Sequence, residues 1–291
     1  MSAATTPALR LGLIGWPVAH SLSPQIHRAA MQAVGLAGEY RLYPVDPEHL
    51  QPALDDLLNR MRAGEIAGLN VTVPHKERLR DQVDQCSETA QAIGAVNTLV
   101  LQDGYLRGEN SDAPGFLSHL RRAKLLPSQR SLRCAILGAG GAARAVAYAL
   151  ATAGHTVGIV ARRESQAQRL AADLSQAPGV LTPPACLPPD FNWIREGFRP
   201  DLLVNATPVG MRPNPAQSPW PLEIPLPASC LVYDLVYNPT ETLLLRQARQ
   251  AGLPTLSGLG MLVEQAALSF AWWTGIQPPL EALYQAVGLP L

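Results

Sequence analysis

The chain has 291 residues, long enough for two domains, and its 23 Lys and Arg balance 23 Asp and Glu, giving a formal net charge of zero. No basic run or aromatic–basic stripe indicates a nucleic-acid-binding surface. No apolar run approaches the ~18 residues of a membrane span, and no signal peptide pattern is present, so we expect a soluble cytoplasmic protein.

The cysteines and histidines do not form the patterns of disulfide scaffolds or metal sites. The four cysteines are scattered without a C-x-x-C pair, which predicts reduced core residues. None of the six histidines lies in an H-E-x-x-H pattern or beside a cysteine pair, so no metal site is expected. The G-x-S-x-G pattern of serine hydrolases is also missing from the sequence.

The first part of the chain alternates between strand-like and helix-like segments. Leu11–Ile14 reads as a strand, and Pro24 opens a helix whose apolar spacing continues to Ala33. The same patterns predict strands at 40–45 and 68–73, an amphipathic helix at 50–61, a helix that begins at Lys76, a hairpin of 95–101 with 105–108, and a connecting helix at 116–124. This alternation favours parallel strands joined by crossover helices.

The second part reads as a nucleotide-binding α/β domain followed by an apolar helix. Strands are predicted at 134–137, 156–160, 202–204 and 231–233, and the proline-rich segments 177–190 and 208–227 are interpreted as ordered surface loops. The helix Met261–Trp273 is so apolar that it must be covered on most sides. We expect it to pack back against the N-terminal domain, which would make that domain discontinuous.

A glycine-rich turn follows the strand at 134–137. Gly138 permits a tight strand-to-helix turn, while Gly140 and Gly141 let the backbone approach a pyrophosphate at the helix N-terminus. Ala143 occupies the close-packing position of this fingerprint. The turn therefore predicts dinucleotide contacts from Gly138, Ala139, Gly140, Gly141 and Ala142. A plain loop is the alternative.

The end of the next strand indicates which nucleotide is bound. An NAD site would place an acid there for the ribose 2′-hydroxyl, whereas this strand is followed by Ala161, Arg162 and Arg163. Guanidinium groups suit a 2′-phosphate, so NADP is the preferred cofactor. Two solvated arginines are the alternative, and Glu164 leaves NAD use open.

Eight segments together resemble the successive signatures of the shikimate dehydrogenase family, in that family's order and over nearly the whole chain. They are G-W-P-V-A-H-S-L-S-P (15–24), N-V-T-V-P-H-K (70–76), G-A-V-N-T (94–98), G-E-N-S-D (108–112), G-A-G-G (138–141), N-A-T-P-V-G-M (205–211), Y-D-L-V-Y-N-P (233–239) and G-L-G-M-L-V-E-Q (258–265).

The resemblance implies an α/β substrate domain (1–111 and 260–291), a Rossmann-type NADP domain (112–259) and a C-terminal helix that returns to the first domain. It also implies an active site in the cleft between the domains. The implied reaction is the reversible, NADPH-dependent reduction of 3-dehydroshikimate to shikimate, a step of aromatic amino-acid biosynthesis. The expected ligands are shikimate or 3-dehydroshikimate, and NADP. No nucleic-acid or membrane partner is expected, and the protein is expected to be a monomer or a homodimer.

The resemblance assigns Lys76 and Asp112 to catalysis. Hydride transfer to a ketone builds negative charge on the carbonyl oxygen, which needs a proton donor or a cation nearby. Lys76 would donate to that oxygen, and Asp112 would orient the lysine and bind a neighbouring hydroxyl. On its own, Lys76 would be interpreted as an ordinary surface lysine.

The family's substrate-binding positions carry hydroxyl and amide groups here. Ser21 and Ser23 match the carboxylate-binding pair, although Ser23 could also cap the helix before Pro24. The hydroxyl-binding set is matched by Asn70, Thr72, Asn97 and Gln265, with a further contact from Tyr237. Asn70 and Thr72 alternate on the predicted strand, Asn97 is unusual in an apolar strand, and Gln265 needs a partner in its apolar helix.

Four further residues match positions that line the nicotinamide side of the cofactor. They are Thr207, Met211, Gly258 and Met261. For Thr207 the alternative is a role in the turn at the end of a strand.

Two departures from the family pattern leave alternatives open. Ser111 replaces the usual threonine, and the Arg-Arg-acid sequence at 162–164 resembles dual-cofactor quinate/shikimate dehydrogenases. Asn70, Thr72 and Lys76 instead match the shikimate-specific branch. A non-catalytic nucleotide-sensing homologue is the third hypothesis, which the presence of both Lys76 and Asp112 disfavours.

Overall fold

The computed structural model describes residues 8–126 and 130–291, which fold into two compact units. The first unit comprises the residues up to Gln91 together with Ala95–Ser111 and Val263–Leu291. The second comprises Ala92–Gly94 and Asp112–Leu262. Each unit is built on its own sheet, and the predicted α/β class is confirmed.

The first unit is built on a mixed six-stranded sheet. Its strands are β1 (Leu9–Gly15), β2 (Gly38–Pro44), β3 (Gly68–Val71), β4 (Gln85–Cys86), β5 (Thr98–Gln102) and β6 (Tyr105–Glu109), in the spatial order β2-β1-β3-β5-β6-β4. Strands β1, β2 and β3 run parallel, whereas β5 is antiparallel to both β3 and β6. The predicted hairpin is confirmed: Asp103 and Gly104 both have positive φ (51° and 82°), as a two-residue turn of this kind requires.

Helices cover this sheet and bury an aliphatic core. They are α1 (Ser23–Ala33), α2 (Leu50–Arg62), the start of α3 (Glu88–Ile93), most of α8 (Leu259–Thr274) and α9 (Leu280–Ala286). Leu54 and Met61 of α2 are fully buried in one cluster with Leu69 of β3 and Leu99 of β5. The predicted apolar helix is therefore part of the first unit, where Trp273 Nε1 donates to the carbonyl oxygen of Leu99 at 2.9 Å.

One predicted helix start and one predicted helix cap are wrong, whereas Pro24 does open the first helix. Lys76 lies in a turn, and the helical residues that follow are a short 3-10 segment, Arg78–Gln82. The carbonyl oxygen of Lys76 accepts the N–H of Val96 at 2.8 Å, so it is bonded to another segment instead of to a helix. Ser23 is the first residue of α1 and not its cap, which is Leu22.

The second unit has a six-stranded sheet whose pairings are all parallel. Its strands are β7 (Arg133–Leu137), β8 (Thr156–Val160), β9 (Ala185–Cys186), β10 (Leu202–Asn205), β11 (Leu231–Asp234) and β12 (Thr255–Ser257), in the order β12-β11-β10-β7-β8-β9. Its principal helices are α4 (Asp112–Arg122), α5 (Gly141–Thr152), α6 (Glu164–Ser175) and α7 (Leu243–Gln250). Strand β9 lies in the proline-rich segment 177–190, for which the sequence predicts a loop. The prediction fails there because the backbone groups of β9 pair with β8 and extend the sheet.

Candidate active site

Six polar side chains lie close together in the first unit, between the sheet and α8. They are Asn70, Asn97, Thr98, Ser111, Gln265 and Ser269. All six are buried, with exposed fractions between 0% and 8%. Because burial of an unpartnered polar group is unfavourable, these groups must satisfy one another, and the hydrogen bonds below show that they do.

Asn97 and Ser111 bind each other twice across the two ends of the β5–β6 hairpin. Asn97 Nδ2 donates to Ser111 Oγ at 2.9 Å, and the backbone N–H of Ser111 donates to Asn97 Oδ1 at 2.7 Å. Ser111 Oγ also lies 3.2 Å from Gln265 Oε1. Gln265 thus has the partner that its position in an apolar helix requires, and one serine joins two predicted substrate-binding residues.

Asn70 is held at both ends of its side-chain amide. Tyr40 Oη donates to Asn70 Oδ1 at 2.8 Å. Asn70 Nδ2 lies 3.1 Å from Thr98 Oγ1 and 3.0 Å from Ser269 Oγ. The structure therefore brings Asn70 into the same network as Asn97, through groups of the first unit itself.

Thr72 and Asn97 occupy backbone positions different from those predicted. Strand β3 ends at Val71, so Thr72 lies beyond it and does not share a strand face with Asn70. Pro74 follows closely and has no N–H with which to continue the pairing. Asn97 precedes β5 instead of lying in the middle of a strand.

Lys76 lies in a turn that is anchored on both sides. The buried ring of His75 approaches the carbonyl oxygen of Val45 to 2.7 Å through its Nε2. The carbonyl oxygen of Lys76 is bound by Val96, the residue before Asn97. The backbone that carries the half-buried Lys76 side chain is thus fastened to the segment that leads into Asn97.

Ser21 and Ser23 form a pair at the start of α1. Their Oγ atoms are 3.1 Å apart, and the N–H of Ser23 donates to Ser21 Oγ at 3.2 Å. The two hydroxyls lie together, as predicted. Ser21 also serves the backbone at the helix start, a role that the sequence had not suggested for it.

In the second unit, the glycine-rich turn has the geometry of an anion site. Gly138 has a φ of 119°, and a methyl group there would lie 3.0 Å from the carbonyl oxygen of Ala206. Gly140 is exposed and faces open space. Helix α5 begins at Gly141 with no capping side chain and no acid in its first turn, so its N-terminal amides suit a pyrophosphate.

The two arginines lie where β8 passes into α6. Arg162 and Arg163 are exposed, while Ala161 before them is buried. Glu164 is the first residue of α6, and its Oε1 accepts a hydrogen bond from Gln168 Nε2 at 3.0 Å. The residues of the second unit therefore fit a phosphorylated dinucleotide: backbone amides at the glycine turn and guanidinium groups after the next strand.

A second buried network joins the ends of β10 and β11. Asp234 Oδ1 accepts from Asn205 Nδ2 at 2.8 Å and from the N–H of Val236 at 3.0 Å, and Asp234 Oδ2 accepts from Thr242 Oγ1 at 2.6 Å. Burial raises the pKa of Asp234 to about 6, and the three donated hydrogen bonds oppose that rise. Asn205 Oδ1 accepts from Thr207 Oγ1 at 2.7 Å, so Thr207 does stabilise a turn.

The other predicted site residues of the second unit are spread over several of its elements. Asp112 begins α4 and is 4% exposed, Tyr237 is half-buried, and Met211 is exposed. Gly258 packs so closely that a methyl group there would overlap the carbonyl oxygen of Leu235. Met261 is 7% exposed, on the first turn of α8.

Sequence reasoning missed the residues that hold these groups in place. Thr98, Ser269 and Tyr40 were not singled out, nor were Asn205 and Asp234. Four of them shared one signal, a polar residue within or at the end of an otherwise apolar strand or helix. Tyr40 lies between Glu39 and Arg41 and carried no such signal.

Within the described ranges, no helix is long and apolar enough to cross a membrane. Over the same ranges, no group of three or more His, Cys, Asp or Glu is placed to hold a metal ion.

Comparison with known proteins gives matches along nearly the whole chain. Residues 13–99 match the shikimate dehydrogenase substrate binding domain, and residues 258–287 match the shikimate 5′-dehydrogenase C-terminal domain. The shikimate dehydrogenase (NADP⁺) of Methanopyrus kandleri is 44% identical over 279 residues, covering 95% of this chain and 94% of that protein.

Solved structures agree with these matches. The shikimate 5-dehydrogenase of Thermus thermophilus, in complex with NADP(H) and shikimate, is 39% identical with a TM-score of 0.82, covering 96% of this chain and 98% of that one. The quinate dehydrogenase of Corynebacterium glutamicum, in complex with NAD, is 32% identical with a TM-score of 0.83, covering 96% and 98%.

Proposed function

Because this chain belongs to the shikimate dehydrogenase family, we propose that it catalyses the reversible, NADPH-dependent reduction of 3-dehydroshikimate to shikimate. The observation that carries this proposal is the 44% identity, over 95% of the chain, to an NADP-dependent shikimate dehydrogenase. The glycine turn, the exposed arginines and the buried amide network supply groups that suit the two ligands.

We assign substrate binding to the first unit and NADP binding to the second. The substrate-binding family model matches residues 13–99, which lie in the first unit except for Ala92–Gly94. The turn at 138–142 and Arg162 with Arg163 belong to the second unit and would hold the pyrophosphate and the 2′-phosphate. Thr207, Met211, Gly258 and Met261 would line the nicotinamide side.

When bound, NADPH supplies the hydride that adds to the carbonyl carbon of the ketone. Lys76 Nζ then donates a proton to the oxygen of that carbonyl, so that the alcohol forms as the charge develops. The role proposed for Asp112 is to accept a hydrogen bond from a neighbouring substrate hydroxyl. In the reverse direction, the neutral Lys76 amine would take the hydroxyl proton while the hydride returns from the carbon to NADP⁺.

The polar side chains of the first unit would bind the rest of the substrate. Ser21 and Ser23 present paired hydroxyls for the carboxylate. Asn97, Gln265 and Thr72 would bind ring hydroxyls, and Tyr237 is a further candidate for a substrate contact. The amide of Asn70 already bonds within the unit at both ends, so we assign it to holding this set in place.

A quinate/shikimate dehydrogenase with dual cofactor use is the second candidate. Glu164 favours it, because an acid beside Arg162 and Arg163 weakens discrimination against NAD. A further observation is the 32% identity to a quinate dehydrogenase solved with NAD.

A two-by-two assay tests both candidates. Absorbance at 340 nm follows the purified protein with shikimate or quinate and with NADP or NAD. The proposal predicts that the dinucleotide is reduced only when shikimate and NADP are combined. Comparable rates of dinucleotide reduction with quinate or with NAD would support the second candidate. No reduction in any combination would refute both and leave a nucleotide-binding protein without this activity.

The cell compartment and the assembly are also part of the proposal. We infer a cytoplasmic enzyme that acts on small molecules alone, as a monomer or homodimer. Size-exclusion chromatography with light scattering distinguishes the two assemblies.

A further inference from the structure

The fully buried side-chain amide of Asn205, at the end of β10, has an orientation that two backbone groups fix. The N–H of Thr207 donates to Asn205 Oδ1 at 2.9 Å, and the carbonyl oxygen of Val209 accepts from Asn205 Nδ2 at 3.3 Å. A backbone N–H can only donate and a carbonyl oxygen can only accept. The oxygen and the nitrogen of this amide therefore cannot be exchanged.

The hydroxyl group of Thr207 bonds to the same amide oxygen. Thr207 Oγ1 lies 2.7 Å from Asn205 Oδ1, the one acceptor that it contacts among the residues that the structure describes, so this bond takes up its single hydrogen. The N–H of Val209 donates to Thr207 Oγ1 at 3.1 Å and fills one of its two lone pairs. Thr207 Oγ1 is left with one lone pair and no hydrogen, so it can only accept from a ligand.

Asp234 engages the remaining hydrogen of the Asn205 amide. Asn205 Nδ2 donates to Asp234 Oδ1 at 2.8 Å, and the N–H of Val236 and the hydroxyl of Thr242 donate to the same carboxyl group. Both lone pairs of Asn205 Oδ1 and both hydrogens of Asn205 Nδ2 are thus occupied. Thr207 consequently bonds to an acceptor that is held from two strands.

Thr207 lies beside the glycine turn. Strands β10 and β7 are parallel neighbours with Asn205 opposite Leu137, and the N–H of Ala206 donates to the carbonyl oxygen of Leu137 at 2.9 Å. A methyl group on Gly138 would lie 3.2 Å from Thr207 Cγ2. The half-buried Thr207 therefore borders the carboxyl edge of the parallel sheet, which is where such sheets bind their ligands.

The order of the strands places Thr207 and the two arginines on opposite sides of the turn. Strand β7, which leads into the turn, lies between β8 and β10. Arg162 and Arg163 follow β8, whereas Thr207 follows β10. A dinucleotide with its 2′-phosphate at the arginines and its pyrophosphate at the turn would have its nicotinamide riboside on the β10 side.

The nicotinamide riboside carries hydrogen-bond donors, the NH₂ of its carboxamide and the hydroxyls of its ribose, whereas phosphate oxygens are acceptors. We propose that Asn205 is a positioning residue for the cofactor: it takes up the hydrogen of the Thr207 hydroxyl, so that Thr207 Oγ1 accepts a hydrogen bond from the nicotinamide riboside of NADP. Asn205 touches no ligand in this scheme and acts through Thr207. The proposal rests on the assignment of NADP to the second unit.

The test measures by calorimetric titration the Kd for NADP and for adenosine 2′,5′-bisphosphate, which lacks the nicotinamide riboside. Asn205→Ala releases the Thr207 hydroxyl, so the Kd for NADP should rise about three- to tenfold, the effect of one lost hydrogen bond. The Kd for the bisphosphate should not change. An equal rise for both ligands, or no rise for NADP, would overturn the proposal.

Thr242→Val is the matched control, because Thr242 donates to the same carboxyl group and caps α7 without contacting Thr207. Asp234 keeps its hydrogen bonds from Asn205 and Val236 in this variant. The Kd for NADP should therefore equal that of the wild type, even where the midpoint of unfolding falls. A rise as large as that of Asn205→Ala would assign the effect to a loosened network and overturn the proposal.

A double mutant tests whether Asn205 acts through Thr207. Thr207→Val keeps the shape of the side chain but removes its oxygen, so it should raise the Kd for NADP about three- to tenfold by itself. Adding Asn205→Ala should then change that Kd by less than about twofold. A full second rise in this background would overturn the proposal.

Thr207→Ser keeps the test decisive if Asn205→Ala loses its cooperative unfolding transition. This variant keeps the hydroxyl, so its Kd for NADP should stay at the wild-type value, and a Kd equal to that of Thr207→Val would overturn the proposal. An NADP analogue with an acetyl group in place of the carboxamide identifies the donor. The difference between the two variants should vanish with this analogue if the carboxamide NH₂ donates, and should persist if a ribose hydroxyl does.

The outcomes also distinguish this proposal from the proposed function. A wild-type protein that binds NADP but does not turn over shikimate would refute the reaction, while the Kd values would still decide the role of Asn205. Absence of NADP binding would overturn both. Wild-type turnover with an unchanged Kd for NADP in Asn205→Ala would overturn only the role of Asn205.

Discussion

Replacement of Asp234 by Asn should change how the stability of the protein depends on pH. Burial raises the pKa of this carboxyl from 3.8 to about 6 in the folded protein. Between those values the native state binds more protons than the unfolded state, so the free energy of unfolding falls as the pH rises. A difference of about two pKa units corresponds to about 3 kcal/mol between pH 4 and pH 7.

The Asp234→Asn variant has no titrating group at this position, so this pH dependence should disappear in it. At pH 4 the wild-type protein keeps a neutral carboxyl, and the variant should be the less stable of the two. Between pH 4 and pH 7 the free energy of unfolding of the variant should rise by about 3 kcal/mol relative to that of the wild type. The variant also replaces one carboxyl oxygen by an NH₂ group, which cannot accept the hydrogen bond from Thr242, and this cost is present at every pH in the range.

Urea unfolding at several pH values between 4 and 7 measures this difference directly. Asp201→Asn is a suitable control. Burial works against ionisation of Asp201, but the N–H of Arg133 and the guanidinium of Arg130 hold its pKa below the ordinary value. The difference in the free energy of unfolding between the wild type and Asp201→Asn should therefore be constant above about pH 5. A constant stability difference between wild type and Asp234→Asn across the range would refute a raised pKa for Asp234.

Three further variants test the proposed site. Lys76→Ala should lower kcat by orders of magnitude with the affinity for NADPH nearly unchanged, as measured by turnover and fluorescence titration; near-normal turnover would rule out the proton-donor role. Arg162→Ala should weaken the binding of NADPH by ~1.5–3 kcal/mol and the binding of NADH far less, because it removes a charged hydrogen bond to the 2′-phosphate. Equal losses for the two cofactors in titration would contradict that role. Gly258→Ala should destabilise the fold by ~1–3 kcal/mol through overlap with the carbonyl oxygen of Leu235, and an unchanged midpoint of thermal unfolding would show that the backbone yields there.

Local patterns were enough to predict much of the fold. The dipeptide Asp103–Gly104 specified the hairpin, because few other residues adopt two consecutive positive φ values. The glycine turn after β7 and the apolar helix at the C-terminus were likewise visible in short windows of sequence. The predicted helix at Lys76 failed because its carbonyl oxygen bonds to Val96, a contact between distant segments that no local pattern contains.

The residues of the candidate site could be predicted from their types, but the hydrogen bonds that join them could not. Asn70 and Gln265 were expected at the site, and both lie in its buried network. Their links through Ser269 join residues up to 199 positions apart, so they arise only when α8 packs on the sheet. Ser269 itself looked like an ordinary small residue in an apolar helix.

The double hydrogen bond between Asn97 and Ser111 closes the β5–β6 hairpin at its base. The loop tip at Asp103–Gly104 is exposed at the opposite end of the two strands. Since the base is fastened independently of the tip, the length and composition of the tip are free to vary among relatives without disturbing the amide of Asn97. The same property makes this turn a suitable place to insert an affinity tag or a fluorophore attachment site in the enzyme.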